Sequence, residues 1–113
     1  TMEESTELTN LRNSLANWAN KNTQEFDTSA VVQLSGNIRR YILIAHDIPA
    51  PLGGGASERF MQNVSEYLPS DLHEAVLEIE SNLEEIIARN RIDSDKLENT
   101  QKLLRKLIDG ERQ

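Results

Sequence analysis

Residues 70–109 read SDLHEAVLEIESNLEEIIARNRIDSDKLENTQKLLRKLID, and side chains suited to a core recur there at alternating steps of four and three residues. This spacing is the heptad pattern of a helix that buries one seam of side chains. Strands alternate with a period of two, so the stretch predicts helix and places the chain in the all-α class. The seam positions are Leu72, Val76, Ile79, Leu83, Ile86, Leu97, Thr100, Leu104 and Leu107.

The middle of the same stretch leaves two structures open. No proline or glycine interrupts it before Gly110, so one helix of about 60 Å is possible at a rise of 1.5 Å per residue. Two successive seam positions are polar, Asn90 and Asp93, and an aspartate is costly to bury. We therefore favour a break, with Asp93 or Ser94 capping a fifth helix and a C-terminal helical hairpin as the result. One long helix is the alternative.

Two longer apolar stripes and one short one precede this region. Their side chains step by three and four residues, which is typical of one buried helix face. They are Leu8, Leu11, Leu15 and Trp18, then Val31, Leu34, Ile38, Ile42 and Ala45, then Phe60 and Val64. The chain length and this pattern predict a single helical domain over residues 1–113, built as a four- to five-helix bundle. We interpret residues 1–4 as a tag remnant or a frayed terminus.

The segment 47–56 reads DIPAPLGGGA and is predicted to be a Pro/Gly-rich loop between helices. A phosphate-binding loop would need Gly-Lys-Ser/Thr after the glycines, and a dinucleotide fingerprint would need a third spaced glycine. The chain has neither pattern. The loop is interpreted as a hinge. The remaining alternative is that the free N–H groups of a helix N-terminus near Arg59 bind an anion weakly.

Composition narrows the function classes. The net charge of −7 is repelled by nucleic-acid phosphates and anionic lipid and suits a basic partner protein. The chain has no cysteine, which removes disulfides, thiolate catalysis and cysteine-based zinc sites. No apolar stretch is long enough to cross a bilayer, and none has the features of a secretory signal. We expect a cytoplasmic protein that binds neither membrane nor nucleic acid.

Catalytic and metal motifs are weak. The two histidines, His46 and His73, lie outside the His-Glu-x-x-His pattern and outside the Glu-x-x-His spacing of di-iron bundles. No metal and no cofactor is predicted. The sequence favours a function without catalysis.

One spacing supports an enzymatic alternative. Arg40 and His46 are separated by five residues near the end of the second predicted helix. This resembles the Arg-x(4–6)-His motif of HEPN domains, small helical bundles that include ribonucleases of toxin–antitoxin and defence systems. The resemblance implies that Arg40 binds an RNA phosphate, that His46 acts as the acid or base, and that both lie on a dimer seam.

The principal hypothesis is a homodimeric protein-interaction module. If the C-terminal helix is unbroken, its apolar side chains extend beyond a compact body and need a partner, most simply a second copy. The predicted interface consists of Leu97, Leu104, Leu107 and Ile108. A predicted acidic face for a basic partner consists of Glu74, Glu78, Glu84 and Glu85. An acidic immunity or antitoxin protein that masks a basic toxin is a further alternative.

Overall fold

The computed structural model describes residues 2–110, and for residues 2–5 and 110 it describes the backbone alone. It contains five α-helices: α1 Met2–Asn20, α2 Thr28–Ala45, α3 Ser57–Val64, α4 Ser70–Arg89 and α5 Ser94–Gly110. Short 3-10 turns occupy Thr23–Glu25, Ala50–Gly53 and Ser65–Tyr67. The described residues contain no strand, so the predicted all-α class is confirmed. The segment 1–4 includes Thr1, which lies outside the described residues, and α1 begins at Met2.

Four of the helices form a closed ring. Helix α1 packs against α2 and α5, and α4 packs against the same two helices from the other side. Helix α3 lies outside this ring and packs on α4. The result is a four-helix bundle with a fifth, short helix on its surface, which confirms the predicted bundle.

Most of the core comes from the apolar stripes that the sequence predicts, and Phe26, Tyr41, Leu43 and Ile48 add to it from outside those stripes. Leu8, Leu11, Trp18 and Ala45 of the stripes are only partly buried. Burial of aliphatic side chains is the main stabilising contribution in such a bundle. Helix α3 adds two aromatic or branched side chains to the core, Phe60 and Val64, and both are fully buried. The largest fully buried side chains of the ring helices are Leu15, Leu34, Ile38, Tyr41, Ile42, Ile79, Leu83, Ile86, Leu97, Leu104 and Leu107.

The predicted break between α4 and α5 is confirmed, and it occurs at Asn90, directly after the last residue of α4. Asn90 has a φ of 50°, in the left-handed region that asparagine tolerates better than most residues. The N–H of Asn90 donates to the carbonyl of Ile87 at 3.2 Å, and the N–H of Arg91 donates to that of Ile86 at 3.3 Å. These two bonds form a Schellman motif, which satisfies the last carbonyls of α4 and turns the chain.

Aspartate side chains cap the N-termini of two helices, α2 and α5. Asp93 caps α5, because its Oδ1 accepts a hydrogen bond from the N–H of Lys96 at 3.1 Å. Asp27 caps α2 in the same way, accepting from the N–H of Ala30 at 2.8 Å. Each carboxylate satisfies a donor that the helix itself leaves unpaired, and its charge complements the helix dipole.

Helix α5 also closes the bundle by capping the end of α1. The side-chain amide of Gln101 donates to the carbonyls of Trp18 at 3.0 Å and Lys21 at 2.7 Å. The guanidinium of Arg105 donates to the carbonyl of Ala19 at 2.5 Å. The carbonyls at the C-terminal end of α1 therefore find their partners on α5, which fixes how the two helices pack.

Candidate functional site

Arg39 on α2 holds the glycine-rich loop in place. Its Nη1 donates to the carbonyls of Gly53 at 3.2 Å and Gly55 at 2.8 Å. Its Nη2 and Nε donate to the carboxylate of Glu80 on α4, and its guanidinium lies 4.4 Å from the ring centroid of Phe60 on α3. One side chain thus joins α2, the loop, α3 and α4, and it positions α3 on the bundle.

The N-terminus of α3 is capped by the chain's own carboxylate. Glu84 on α4 accepts a hydrogen bond at Oε2 from the N–H of Ser57, at 3.1 Å. Hydrogen bonds from the Ser57 side chain and then from its backbone hold the pKa of Glu84 below its ordinary value. The sequence left this helix end open for an external anion near Arg59. In the structure Glu84 supplies the anion.

A groove of about 540 Å³ lies between α3 and α4. Two apolar side chains line it, the half-buried Met61 of α3 and Leu77 of α4, which is 52% exposed. Three carboxylates line the same groove, those of Glu58, Glu74 and Glu84. A single exposed leucine is ordinary on a protein surface. Here it lies in a concavity beside a second apolar side chain and among negative charges, which makes this groove the candidate binding site.

The remaining lining residues are small or neutral, apart from one histidine. His73 lies near the start of α4, and its Nε2 is 2.9 Å from the carbonyl oxygen of Leu68. A carbonyl only accepts, so Nε2 carries the proton, and the bond fixes the ring. Serine and glutamine side chains complete the lining, and among the described residues it includes no lysine or arginine. The groove therefore presents an apolar floor in a negative field.

The predicted acidic face is divided between the two sides of α4. Glu74 and Glu84 line the groove beside α3. Glu78 and Glu85 lie toward α5, where each has an intramolecular partner. Only two of the four predicted glutamates therefore belong to the groove, and Glu58 of α3 joins them.

The partners of the other two glutamates are close. Glu78 accepts a hydrogen bond from the side-chain amide of Asn99 on α5. Glu85 forms ion pairs with Arg89, one turn later on α4, and with Lys96 on α5, both at 3.0 Å. These contacts tie α4 to α5, so the two carboxylates serve the hairpin.

The predicted partner interface lies inside the monomer. Helices α1 and α4 cover α5, and the side chains predicted to meet a partner are part of the core. Because α4 ends at Arg89, the overhanging helix on which that prediction rested does not form. The buried residues are Leu97, Leu104 and Leu107, with no exposed area, and Ile108, with 4%.

Arg40 and His46, the pair that resembles the HEPN motif, lie in different surroundings. The guanidinium of Arg40 forms an ion pair with Glu7 on α1, with Nη2 2.9 Å from Oε1. His46 is half-buried at the end of α2, and its backbone N–H donates to the carbonyl of Ile42 at 3.1 Å. The ribonuclease alternative stays a prediction, and incubation of RNA with the protein and with His46→Ala tests it.

Sequence reasoning missed the third carboxylate of the groove, Glu58, and its two apolar residues, Met61 and Leu77. The available signal was Leu77, which is apolar yet falls outside the buried seam of α4. The other two could not be assigned, because their place depends on how α3 docks. That docking is set by the contacts of Arg39 with the loop and with Glu80.

Comparisons of the chain with protein-family models, with curated proteins and with solved structures find no match. Within residues 2–110, no helix combines the length and the apolar composition that a membrane crossing requires. The same part of the chain holds no group of three or more His, Cys, Asp or Glu side chains arranged to hold a metal ion. A function for this protein is therefore argued from the groove itself.

Proposed function

We propose that this chain is a non-enzymatic protein-interaction domain whose α3–α4 groove binds a basic segment of another protein. The observation that supports this most directly is the joint presence of Leu77, Met61 and three carboxylates in one concave surface, to which the part of the chain that the structure describes contributes no lysine or arginine. Apolar contact supplies affinity in such a groove. The carboxylates select a cationic partner and speed its approach.

The whole molecule favours the same partner. The net charge of −7 attracts a basic protein over a distance of about one Debye length, near 8 Å at physiological salt. A basic segment is also what the immunity or antitoxin hypothesis requires, so the proposal covers both. A cytoplasmic location belongs to the proposal, since a chain without cysteine has no need of an oxidising compartment.

The groove can be tested without knowing the natural partner. A library of short peptides displayed on phage is selected against the purified protein. We expect the enriched peptides to carry lysine or arginine beside leucine, isoleucine or phenylalanine. Their binding should weaken when salt rises from about 0.05 M to about 0.5 M, because exposed charges are screened.

Surface variants then locate the binding. Leu77→Asp removes the apolar floor, and Glu74→Lys reverses a groove charge. Glu25→Lys is the matched control, since it makes the same change of charge in the turn Thr23–Glu25, outside the groove. We expect at least about tenfold weaker binding for the two groove variants, and an unchanged affinity for the control.

Two results would overturn the proposal. The first is selected peptides that bind the groove variants and the wild type equally. The second is a wild-type protein that sediments as a dimer and becomes a monomer in Leu77→Asp, since the occupant of the groove would then be a second copy of the chain.

A further inference from the structure

The geometry points to an amphipathic α-helix as the segment that the groove receives, an inference that rests on the proposed function. Both walls of the groove are helices, α3 and α4. The choice between a helical and an extended occupant follows from two features of these walls. They are the state of their backbone groups and the spacing of their side chains.

Along the interior of both wall helices, the backbone has no hydrogen bonds to offer. Within a helix, N–H and C=O groups bond to each other, so the groove lacks the edge on which an extended peptide pairs. At the N-terminal end of α3, Glu84 already occupies the N–H of Ser57. An extended segment over Leu77 and Met61 would turn some of its backbone groups toward apolar side chains that offer them no partner. A helix satisfies them internally and presents only side chains to the apolar floor.

Side-chain spacing on α4 matches a helix of about three turns. The groove residues Glu74, Leu77, Ser81 and Glu84 follow one another at steps of three, four and three. Glu74 and Glu84 are therefore separated by about 15 Å along the axis, at 1.5 Å per residue. A partner helix meets both carboxylates with two cationic side chains about ten residues apart, and its apolar side chains between them face Leu77.

An extended segment would need a different sequence. A strand rises about 3.3 Å per residue, so it spans the same 15 Å in roughly four to five residues. Cations about four residues apart would then suffice, with alternating apolar side chains. The two occupants are distinguishable by the spacing of their charges as well as by their backbone.

Three synthetic peptides test the inference. The first, of about 14 residues, carries two lysines about ten residues apart and two leucines between them on one helical face. The second is the same peptide with one central alanine replaced by proline, which breaks the helix. The third carries two lysines about four residues apart with leucines at alternate positions. Fluorescence anisotropy gives their affinities, and far-UV circular dichroism reports helix formation in the complex.

We expect the first peptide to bind at least about tenfold more tightly than the other two and to gain helicity when bound. Leu77→Asp should weaken its binding by a similar factor, and Glu25→Lys should not. If the proline or the short-spaced peptide binds as tightly as the first and Leu77→Asp weakens all three, the helical occupant is ruled out and the proposed function stands. If Leu77→Asp and Glu74→Lys leave the binding of every peptide unchanged, both proposals are wrong.

Discussion

The guanidinium of Arg39 donates two hydrogen bonds to the carboxylate of Glu80, from Nη2 to Oε1 at 2.7 Å and from Nε to Oε2 at 3.3 Å. The pair is largely withdrawn from water, since the Glu80 side chain is 2% exposed and that of Arg39 is 18% exposed. It lies beneath the glycine-rich loop, whose carbonyls at Gly53 and Gly55 accept hydrogen bonds from Nη1 of Arg39. The pair therefore contributes to the attachment of α3, together with the buried Phe60 and Val64 and the bond between Ser57 and Glu84.

Removing one member of the pair should be more damaging than removing both. Glu80→Met leaves the Arg39 charge without its counterion, and Arg39→Met does the same to Glu80, so we expect each single variant to lower the free energy of unfolding by about 3 kcal/mol. The double variant Arg39→Met with Glu80→Met leaves no uncompensated charge. It should lose less unfolding free energy than either single variant, and therefore less than their sum. Urea denaturation followed by circular dichroism measures all four proteins. Additive losses would show that the pair is not coupled.

The cap that Glu84 places on α3 should make stability depend on pH. Its pKa is lowered in the folded state by the hydrogen bonds from Ser57. The stabilisation is therefore complete above the ordinary glutamate pKa of about 4.3 and is lost as the pH falls through the lower folded value. Glu84→Gln keeps the shape but not the charge. We expect its stability deficit against the wild type to be constant near neutral pH and to vanish in acid.

Two measurements check this pH dependence. Urea denaturation of both proteins from about pH 7 to about pH 2 gives the difference between their unfolding free energies. The contributions of the other carboxylates are the same in both proteins and cancel in this difference. An NMR titration of the Glu84 side-chain carboxyl gives its pKa directly. A value at or above that of an unperturbed glutamate would contradict the cap.

The same substitution should have opposite effects at two glycines. Gly36 lies in the interior of α2, and a β-carbon added there would meet no atom of the described residues within 4 Å. Gly36→Ala should therefore raise the free energy of unfolding by about 0.5–1 kcal/mol, because alanine loses less backbone entropy in a helix. Gly55 has a φ of 90°, and its added β-carbon would lie 3.2 Å from Cδ of Arg59. Gly55→Ala should lower stability by about 1 kcal/mol or more.

Thermal denaturation compares the two alanine variants with the wild type. A lower midpoint for Gly36→Ala would show that this glycine has a packing role that the monomer does not reveal. A raised midpoint for Gly55→Ala would show that the loop tolerates another backbone conformation.

Local pattern was enough to predict the helices of this bundle. The seam of α4 and α5 is buried where the heptad spacing places it, as at Leu83 and Leu104. Two polar seam positions, Asn90 and Asp93, correctly indicated the break, because an unbroken helix would have to bury both. Two side chains therefore made the helical hairpin predictable. Asn90 tolerates a positive φ, and Asp93 caps the next helix.

The groove could not be predicted in the same way, because it is produced by contacts between distant residues. Arg39 and Glu80 are far apart in the sequence, and their pairing is one of the contacts that position α3. Periodicity identifies the apolar face of a helix, but it does not show whether another helix of the same chain or a partner covers that face. That is why Leu104 was assigned to a predicted interface, although it is fully buried in the monomer, where α1 and α4 cover α5.

Leu104 and Leu77 give the most direct test of which apolar side chains form the core and which form a surface. Leu104 is fully buried, so Leu104→Asp places a carboxylate in the centre of the bundle. We expect it to cost more than about 4 kcal/mol and to leave the chain largely unfolded. Leu77 is 52% exposed, so Leu77→Asp should change the unfolding free energy by no more than about 0.5 kcal/mol.

Urea denaturation and sedimentation together separate the two possible roles of Leu104. In a core role, Leu104→Asp loses its cooperative unfolding transition, and Leu77→Asp keeps that of the wild type. In an interface role, Leu104→Asp would stay folded and only its mass in solution would fall. That second result would mean that α5 is held by another molecule rather than by α1 and α4. The capping of the α1 carbonyls by Gln101 and Arg105 could not then describe the protein in solution.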